Sequence, residues 1–355
     1  MQKQLKCIHL DCGRKYFSKE NIMEIIDVGA ESGFNALELA FGNDGFRFFL
    51  DDMSVAGYGD REVRQALHAG NVYYNAHPKF GKPYETDRDE LNQQEMDEII
   101  AYAGKKGMEI VPLLETPGHM HTLLSAMEAL GMENVRYMVA GLHLSYGTVD
   151  VKNTPALDFL RELIGKFAKY FADRGSRWFN VGVDEYANDF AVNDEWVMGV
   201  NQLISEGGYP LLIDYLNSLC RIVKKVGLRP IAFNDCVYYG GDTRLSVDKD
   251  LAVAYWTGGW RGYLTAPAEL IRDMGHDLIN CHGDYYWVVN DGGSKCSPQK
   301  AENFKINDFP GDYQAEDPLG ALFCIWCDGP GCMTAEETVK AAAPTVRAFG
   351  KALNR

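Results

Sequence analysis

The stretch Trp178-Phe179-Asn180-Val181-Gly182-Val183-Asp184-Glu185 decides how this chain folds. Its first six residues carry no charge and are mostly apolar, and the run is too short for a helix. Continuous rather than alternating hydrophobicity is the mark of a strand buried on both faces, as in a parallel sheet covered by helices. Just upstream, Leu157, Leu160, Leu163, Ile164, Phe167 and Phe171 recur at near-helical spacing, which predicts a helix from Ala156 to Ala172. A helix leading into a buried strand is half of a β/α repeat.

The same alternation extends in both directions. Upstream, strands are predicted at Cys7–Asp11, Phe34–Phe41 and Glu109–Leu114, with helices at Ser18–Glu31 and at Gln93–Lys106, the latter ended by Gly107. Ser18 is placed as an N-cap three residues before Asn21. Downstream come a helix at Leu211–Val226 ended by Gly227, then strands at Pro230–Asn234, Leu251–Trp256, Asp277–Cys281 and Ala321–Trp326. Helices at Ala266–Met274 and Glu336–Phe349 complete the pattern. Eight strands alternating with helices predict an α/β fold, a (β/α)8 TIM barrel. No Pro/Gly/Ser-rich linker divides the chain, so residues 1–355 are expected to form a single catalytic domain. The alternative, a doubly wound open sheet, lacks a G-x-G-x-x-G after the first strand, and there is no Walker-type phosphate loop.

Composition narrows the partners. The 50 acidic and 35 basic residues leave a net charge of −15, which argues against nucleic acid as a ligand. No apolar run approaches the roughly 20 residues of a membrane helix, and the first residues lack the apolar stretch of a signal peptide. A cytoplasmic chain with no membrane partner is therefore expected. The nine cysteines are odd in number and widely scattered, which fits buried free thiols in a reducing compartment. Cys324-Ile-Trp-Cys327 is formally a C-x-x-C but lies inside an apolar run.

In a TIM barrel, chemistry belongs at the C-terminal strand ends. The ends here are Asp11 with Arg14 just beyond, Gly42-Asn43-Asp44, Glu115-Thr116-Pro117-Gly118-His119, Asp184-Glu185-Tyr186, Asn234-Asp235, Trp256, and Trp326-Cys327-Asp328. Any one of these could simply be a strand end meeting solvent. Carboxylates and tryptophans converging on one rim suggest a sugar site, because indole faces stack on pyranoses while carboxylates bind hydroxyls and move protons. The pair Asp184-Glu185 is the sharpest feature. Mutual repulsion at a buried strand end is expected to raise at least one pKa, as a general acid requires. Adjacent carboxylates cannot easily flank a glycosidic bond from opposite faces, so a separate nucleophile and acid fit poorly. One carboxylate protonating the leaving oxygen, while its neighbour steers an internal nucleophile, fits better. That nucleophile would be the carbonyl oxygen of a 2-acetamido group on the substrate.

Asn180-Val181-Gly182-Val183-Asp184-Glu185 resembles the His/Asn-x-Gly-x-Asp-Glu signature of glycoside hydrolase family 20, the β-N-acetylhexosaminidases. Leu10-Asp11-Cys12-Gly13-Arg14, Gly42-Asn43-Asp44-Gly45-Phe46-Arg47, Pro117-Gly118-His119-Met120, Tyr255-Trp256-Thr257-Gly258-Gly259-Trp260 and Ile325-Trp326-Cys327-Asp328 resemble further motifs of the family, in the same order along the chain. The match looks most like the catalytic modules of bacterial surface exo-β-N-acetylglucosaminidases. The resemblance implies Glu185 as general acid and then base, with Asp184 holding the acetamido nitrogen as an oxazolinium forms. It implies Asp44 and His119 as a chain supporting Glu185, and Arg14 and Asp328 as ligands of non-reducing-end hydroxyls. Trp256 and Trp326 would wall the pocket, and either Tyr285 or Tyr286 would bind the acetamido carbonyl. The implied activity is a retaining exo-β-N-acetylhexosaminidase acting on a small molecule or glycan with a terminal N-acetylhexosamine, preferring β-GlcNAc, with no cofactor and no metal.

Three other readings stand beside it. His119-Met120-His121 could be a metal pair, but barrel metallohydrolases place such a pair on the first strand; His121 is expected as an exposed helix residue. A chitinase-like barrel would alternate its carboxylates as Asp-x-Glu. A non-catalytic sugar-binding barrel would have lost the acid, which Glu185 supplies here. The insertions Asp51–Leu91, Gly131–Thr154, Ala187–Tyr209 and Asp284–Pro318 are expected to shape the leaving-group side.

Overall fold

The computed structural model describes residues 4–76, 89–192 and 195–355. Eight parallel strands close into a barrel: β1 Leu5–Leu10, β2 Ala36–Asn43, β3 Glu109–Thr116, β4 Trp178–Gly182, β5 Arg229–Phe233, β6 Ala252–Tyr255, β7 Leu278–Asn280 and β8 Gly320–Trp326. Closure is made by β1, which pairs with β2 (Cys7 opposite Ala36) and with β8 (Leu5 opposite Gly320). The barrel predicted from the alternation is therefore the fold observed.

The outer layer contains α1 Lys19–Glu31, α2 Asp60–Ala76, α3 Gln93–Lys105, α4 His121–Ala129, α5 Thr154–Ala172, α6 Gly199–Ser205, α7 Tyr209–Lys225, α8 Ala268–Asp273, α9 Pro298–Ala301 and α10 Ala335–Leu353. Local chemistry sets several of their starts. The Ser18 and Asn21 side chains cap each other's backbone N–H groups at α1, as do Asn92 with Glu95 at α3 and Thr334 with Glu337 at α10.

Helices α2, α4, α6 and α9 lie outside the predicted alternation. The buried face of α2 includes Ala66, Gly70 and Asn71, small or polar residues that blur a hydrophobic period. It packs against α4, whose first residue corrects an expectation: His121 is buried, its ring centroid 5.4 Å from those of Tyr73 and Tyr74. Part of the insertion Asp51–Leu91, residues 77–88, lies outside the described residues.

The core has two compartments, which is why the strands are apolar without alternation. Leu5, Cys7, Ala36, Leu113, Trp178 and Ile231 fill the barrel interior, while Ile8, Leu10, Leu37, Val181 and Val253 face the helices. The interior also holds a polar layer. His9 Nδ1 lies 2.7 Å from Glu38 Oε1, Asn180 Nδ2 donates to Glu38 Oε2 at 3.0 Å, and the Gly182 N–H donates to Asn180 Oδ1 at 2.9 Å. Such groups are retained inside only when hydrogen-bonded, and this layer ties the barrel floor to the end of β4. Eight of the nine cysteines are buried free thiols, and Cys332 is exposed. Cys324 belongs to the barrel interior and Cys327 to the outer core, so the C-x-x-C does not converge. Among the described residues no helix is long and apolar enough to cross a membrane.

Candidate active site

The strand ends bring Arg14, Asp44, His119, Asp184, Glu185, Trp256, Tyr286, Trp326 and Asp328 around one opening. The backbone is bent sharply there. Asp44, His119, Val183 and Glu185 adopt left-handed φ values of 58°, 49°, 75° and 45°. Non-glycine residues hold that region at a cost, and such strain gathers at functional sites. Here it turns Asp184 and Glu185, which an extended strand would aim in opposite directions, toward the same histidine.

His119 is the hub of the charge network. Its Nε2 lies 3.5 Å from Asp184 Oδ2 and 3.5 Å from Glu185 Oε2. Its Nδ1 lies 3.7 Å from Asp44 Oδ2 and 3.1 Å from Arg14 Nη2. Burial lowers the His119 pKa, but Asp184, Asp44 and Glu185 together push it well above the ordinary histidine value. The guanidinium beside Nδ1 opposes a second ring proton. In either state Nε2 carries a proton and presents it to the two carboxylates. Arg14 Nε donates to Asp44 Oδ2 at 3.0 Å, and Arg14 Nη1 donates to Asp328 Oδ1 at 3.2 Å. Burial alone would raise the Asp44 pKa; His119 and Arg14 overcome it and hold the carboxyl well below the usual range.

The repulsion expected within Asp184-Glu185 does not lift Asp184. Burial raises its pKa, but His119 outweighs burial and the net shift is downward. Burial raises Asp328 against the pull of Arg14, and the strongest upward shifts fall on Glu115 and Asp235, polar strand ends assigned no role from the sequence. Burial is the main cause for each, followed by the charge of Asp184. Both lie at the end of an apolar run, which was their only sequence signal. Asp235 accepts hydrogen bonds from the Glu185 backbone N–H at 3.0 Å, from the Tyr263 hydroxyl at 2.9 Å and from Trp256 Nε1.

The pocket itself has a volume of about 270 Å³ and is walled by Phe233, Trp256, Tyr286, Val288 and Trp326. That is just below the roughly 300–1,000 Å³ typical of ligand pockets, and suits one sugar ring rather than a chain. Tyr286 stacks on Trp256 with ring centroids 6.1 Å apart and meets Trp326 edge-on at 5.8 Å. Tyr285, the other candidate, does not line the pocket. Its ring packs on Phe304 and Phe349, 5.2 and 6.3 Å away, at the end of a 3-10 turn over Gly283–Tyr285, after which Tyr286 is extended. A second cleft of about 500 Å³ shares Arg14, His119 and Glu185 with the first and continues past Tyr146, Asn188, Asp189 and the exposed Trp196. These residues come from the insertions Gly131–Thr154 and Ala187–Tyr209.

Comparison with known proteins agrees with this geometry. Residues 4–320 match the model of glycosyl hydrolase family 20, catalytic domain. The lacto-N-biosidase of Bifidobacterium bifidum is 24% identical over 261 residues, covering 70% of this chain and 22% of that protein. The beta-hexosaminidase of Vibrio furnissii is 24% identical over 259 residues, covering 70% of this chain and 39% of that protein. The chain thus spans well under half the length of these two relatives. A solved structure of the pneumococcal virulence factor StrH superposes with a TM-score of 0.87 at 32% identity, covering 98% of this chain and 84% of that one. Dispersin B shares the fold, with a TM-score of 0.73 at 19% identity and coverage of 99% and 100%. The chain belongs to glycosyl hydrolase family 20.

Proposed function

We propose that this chain is a retaining exo-β-N-acetylhexosaminidase that removes terminal β-linked N-acetylglucosamine by substrate-assisted catalysis. One observation carries the reading: Asp184 and Glu185 meet the same His119 nitrogen, each at 3.5 Å, so both carboxylates serve one side of the pocket. The other pocket carboxylate, Asp328, is engaged by Arg14. A nucleophile is therefore best supplied by the substrate.

In this mechanism Glu185 protonates the glycosidic oxygen as the acetamido carbonyl oxygen attacks the anomeric carbon and the C–O bond breaks. Asp184 accepts the acetamido N–H and stabilises the positive oxazolinium, the kind of charge complementarity that dominates catalysis. Tyr286 holds the carbonyl oxygen, and Trp256 and Trp326 enclose the acetamido methyl. Glu185, now ionised, deprotonates a water that reopens the ring from the opposite face, so configuration is retained. Arg14 and Asp328 bind hydroxyls of the terminal sugar. The cleft at Tyr146 and Trp196 lies on the leaving-group side and suits a glycan aglycone. The test is release of nitrophenol from the β-N-acetylglucosaminide against the plain β-glucoside. Strong preference for the former is expected; equal rates on the two would sink the acetamido nucleophile.

A further inference from the structure

Glu115 is the penultimate residue of β3 and Asp184 follows β4, and their carboxyls lie within hydrogen-bonding reach of each other. Glu115 is fully buried. Among the described residues, neither of its oxygens meets a hydrogen-bond donor, and neither does Asp184 Oδ1. The other Asp184 oxygen, Oδ2, is the one that faces His119. The fold reserves space for this contact. A Cβ on Gly182 would fall 1.6 Å from Glu115 Oε2, and the φ of Gly182 is 75°, so a larger residue there would displace the Glu115 carboxyl and strain the backbone. Two buried ionised carboxylates in contact are only acceptors and cannot satisfy each other, whereas one proton between them satisfies both.

We propose that Glu115 is held as a neutral carboxylic acid whose O–H is donated to Asp184 Oδ1, making it a positioning residue that limits the pair to one negative charge and fixes the direction of Asp184. The groups facing Glu115 agree in balance. Burial and Asp184 favour the neutral form, and His119 and Arg14 oppose it more weakly. In turnover the pair keeps its proton and its single charge throughout. With Oδ1 anchored by Glu115, Asp184 is oriented for the acetamido N–H and does not turn away from the oxazolinium. The kinetic consequence rests on the proposed substrate-assisted reading; the protonation state does not.

The test combines spectroscopy with two variants of the intact chain. Infrared difference spectra of wild type minus Glu115→Gln at neutral pH are expected to show the carbonyl stretch of a protonated carboxylic acid. Glu115→Gln, whose amide N–H still donates to Asp184, is expected to keep kcat within about tenfold of wild type. Glu115→Leu, which donates nothing, is expected to lose roughly 10- to 100-fold in kcat, the worth of a hydrogen bond to a charged group. Absence of the acid band, or a Gln variant as impaired as the Leu variant, overturns the proposal. If the Leu variant fails to fold, the band and the Gln variant decide alone. A wild type that shows the band yet does not cleave N-acetylglucosaminides leaves the protonation state standing and removes the functional reading.

Discussion

The backbone N–H of Glu185 donates to Oδ2 of Asp235, 3.0 Å away and fifty residues later in the chain. The same carboxylate receives the indole N–H of Trp256 and the hydroxyl of Tyr263. One buried side chain therefore fixes the left-handed backbone of the proposed acid together with one wall of the sugar pocket. Burial, followed by the charges of Asp184 and Glu185, raises the Asp235 pKa, and the hydrogen bonds from the Glu185 N–H and Trp256 pull it down without reversing that shift.

Asp235→Ala should leave three buried donors without their acceptor. The cost is roughly 1–3 kcal/mol for each unsatisfied group. A lower denaturation midpoint is expected together with a fall in kcat, since both Glu185 and Trp256 lose a support. A variant that loses stability but retains kcat would show that Asp235 serves the fold alone.

Glu185→Gln should lower kcat by roughly 10²–10⁴-fold, the usual worth of a general acid. The loss should be smaller for aryl glycosides with good leaving groups, which need less protonation. Uniform loss across a leaving-group series would argue against the acid role.

Asp184→Asn should also cripple turnover, because a neutral amide stabilises the oxazolinium less. A thiazoline analogue of that cyclised sugar should bind wild type far more tightly than N-acetylglucosamine, as an intermediate mimic does. Titration calorimetry that finds equal affinities would argue against substrate assistance.

Tyr286→Phe should raise KM or lower kcat for N-acetylglucosaminides, since the hydroxyl stands in the pocket. Tyr285→Phe should leave both constants unchanged, because its ring packs on Phe304 and Phe349 outside the pocket. The reverse pattern would overturn the assignment of Tyr286.

Asp44 links the network to pH. Its folded pKa is held below the unfolded value of about 3.9, after His119 and Arg14 overcome burial. Its stabilising contribution is therefore fully present above the unfolded value and is lost as pH falls through the folded one. Asp44→Asn should lower the denaturation midpoint at neutral pH and narrow the gap to wild type in strong acid. A gap that is the same at every pH would show that the ionised form contributes nothing.

Much of the fold could be read because its signals are local. The Ser18–Asn21 cap, the face of α5 and the eight apolar runs each depend on neighbours a few residues apart. Helix α2 escaped because its packing face includes glycine and asparagine, and His121 was misplaced because two aromatic rings from that unread helix cover it. Glu115 and Asp235 were visible as polar strand ends but had no sequence signal that set them apart from Asp11 or Asn234.

The order of strands and the chemical types at their ends were thus determined by sequence alone: carboxylates and tryptophans placed on one rim by a β/α repeat. Tertiary structure decided which of them touch. Side-chain direction follows from register, barrel closure and left-handed turns at Asp44, His119, Val183 and Glu185, and none of these is encoded by spacing along one strand. That is why Asp184 finds Glu115 and His119 on β3 and the loop beyond it, why Glu185 finds Asp235 after β5, and why Tyr286 enters the pocket while Tyr285 turns to the helices.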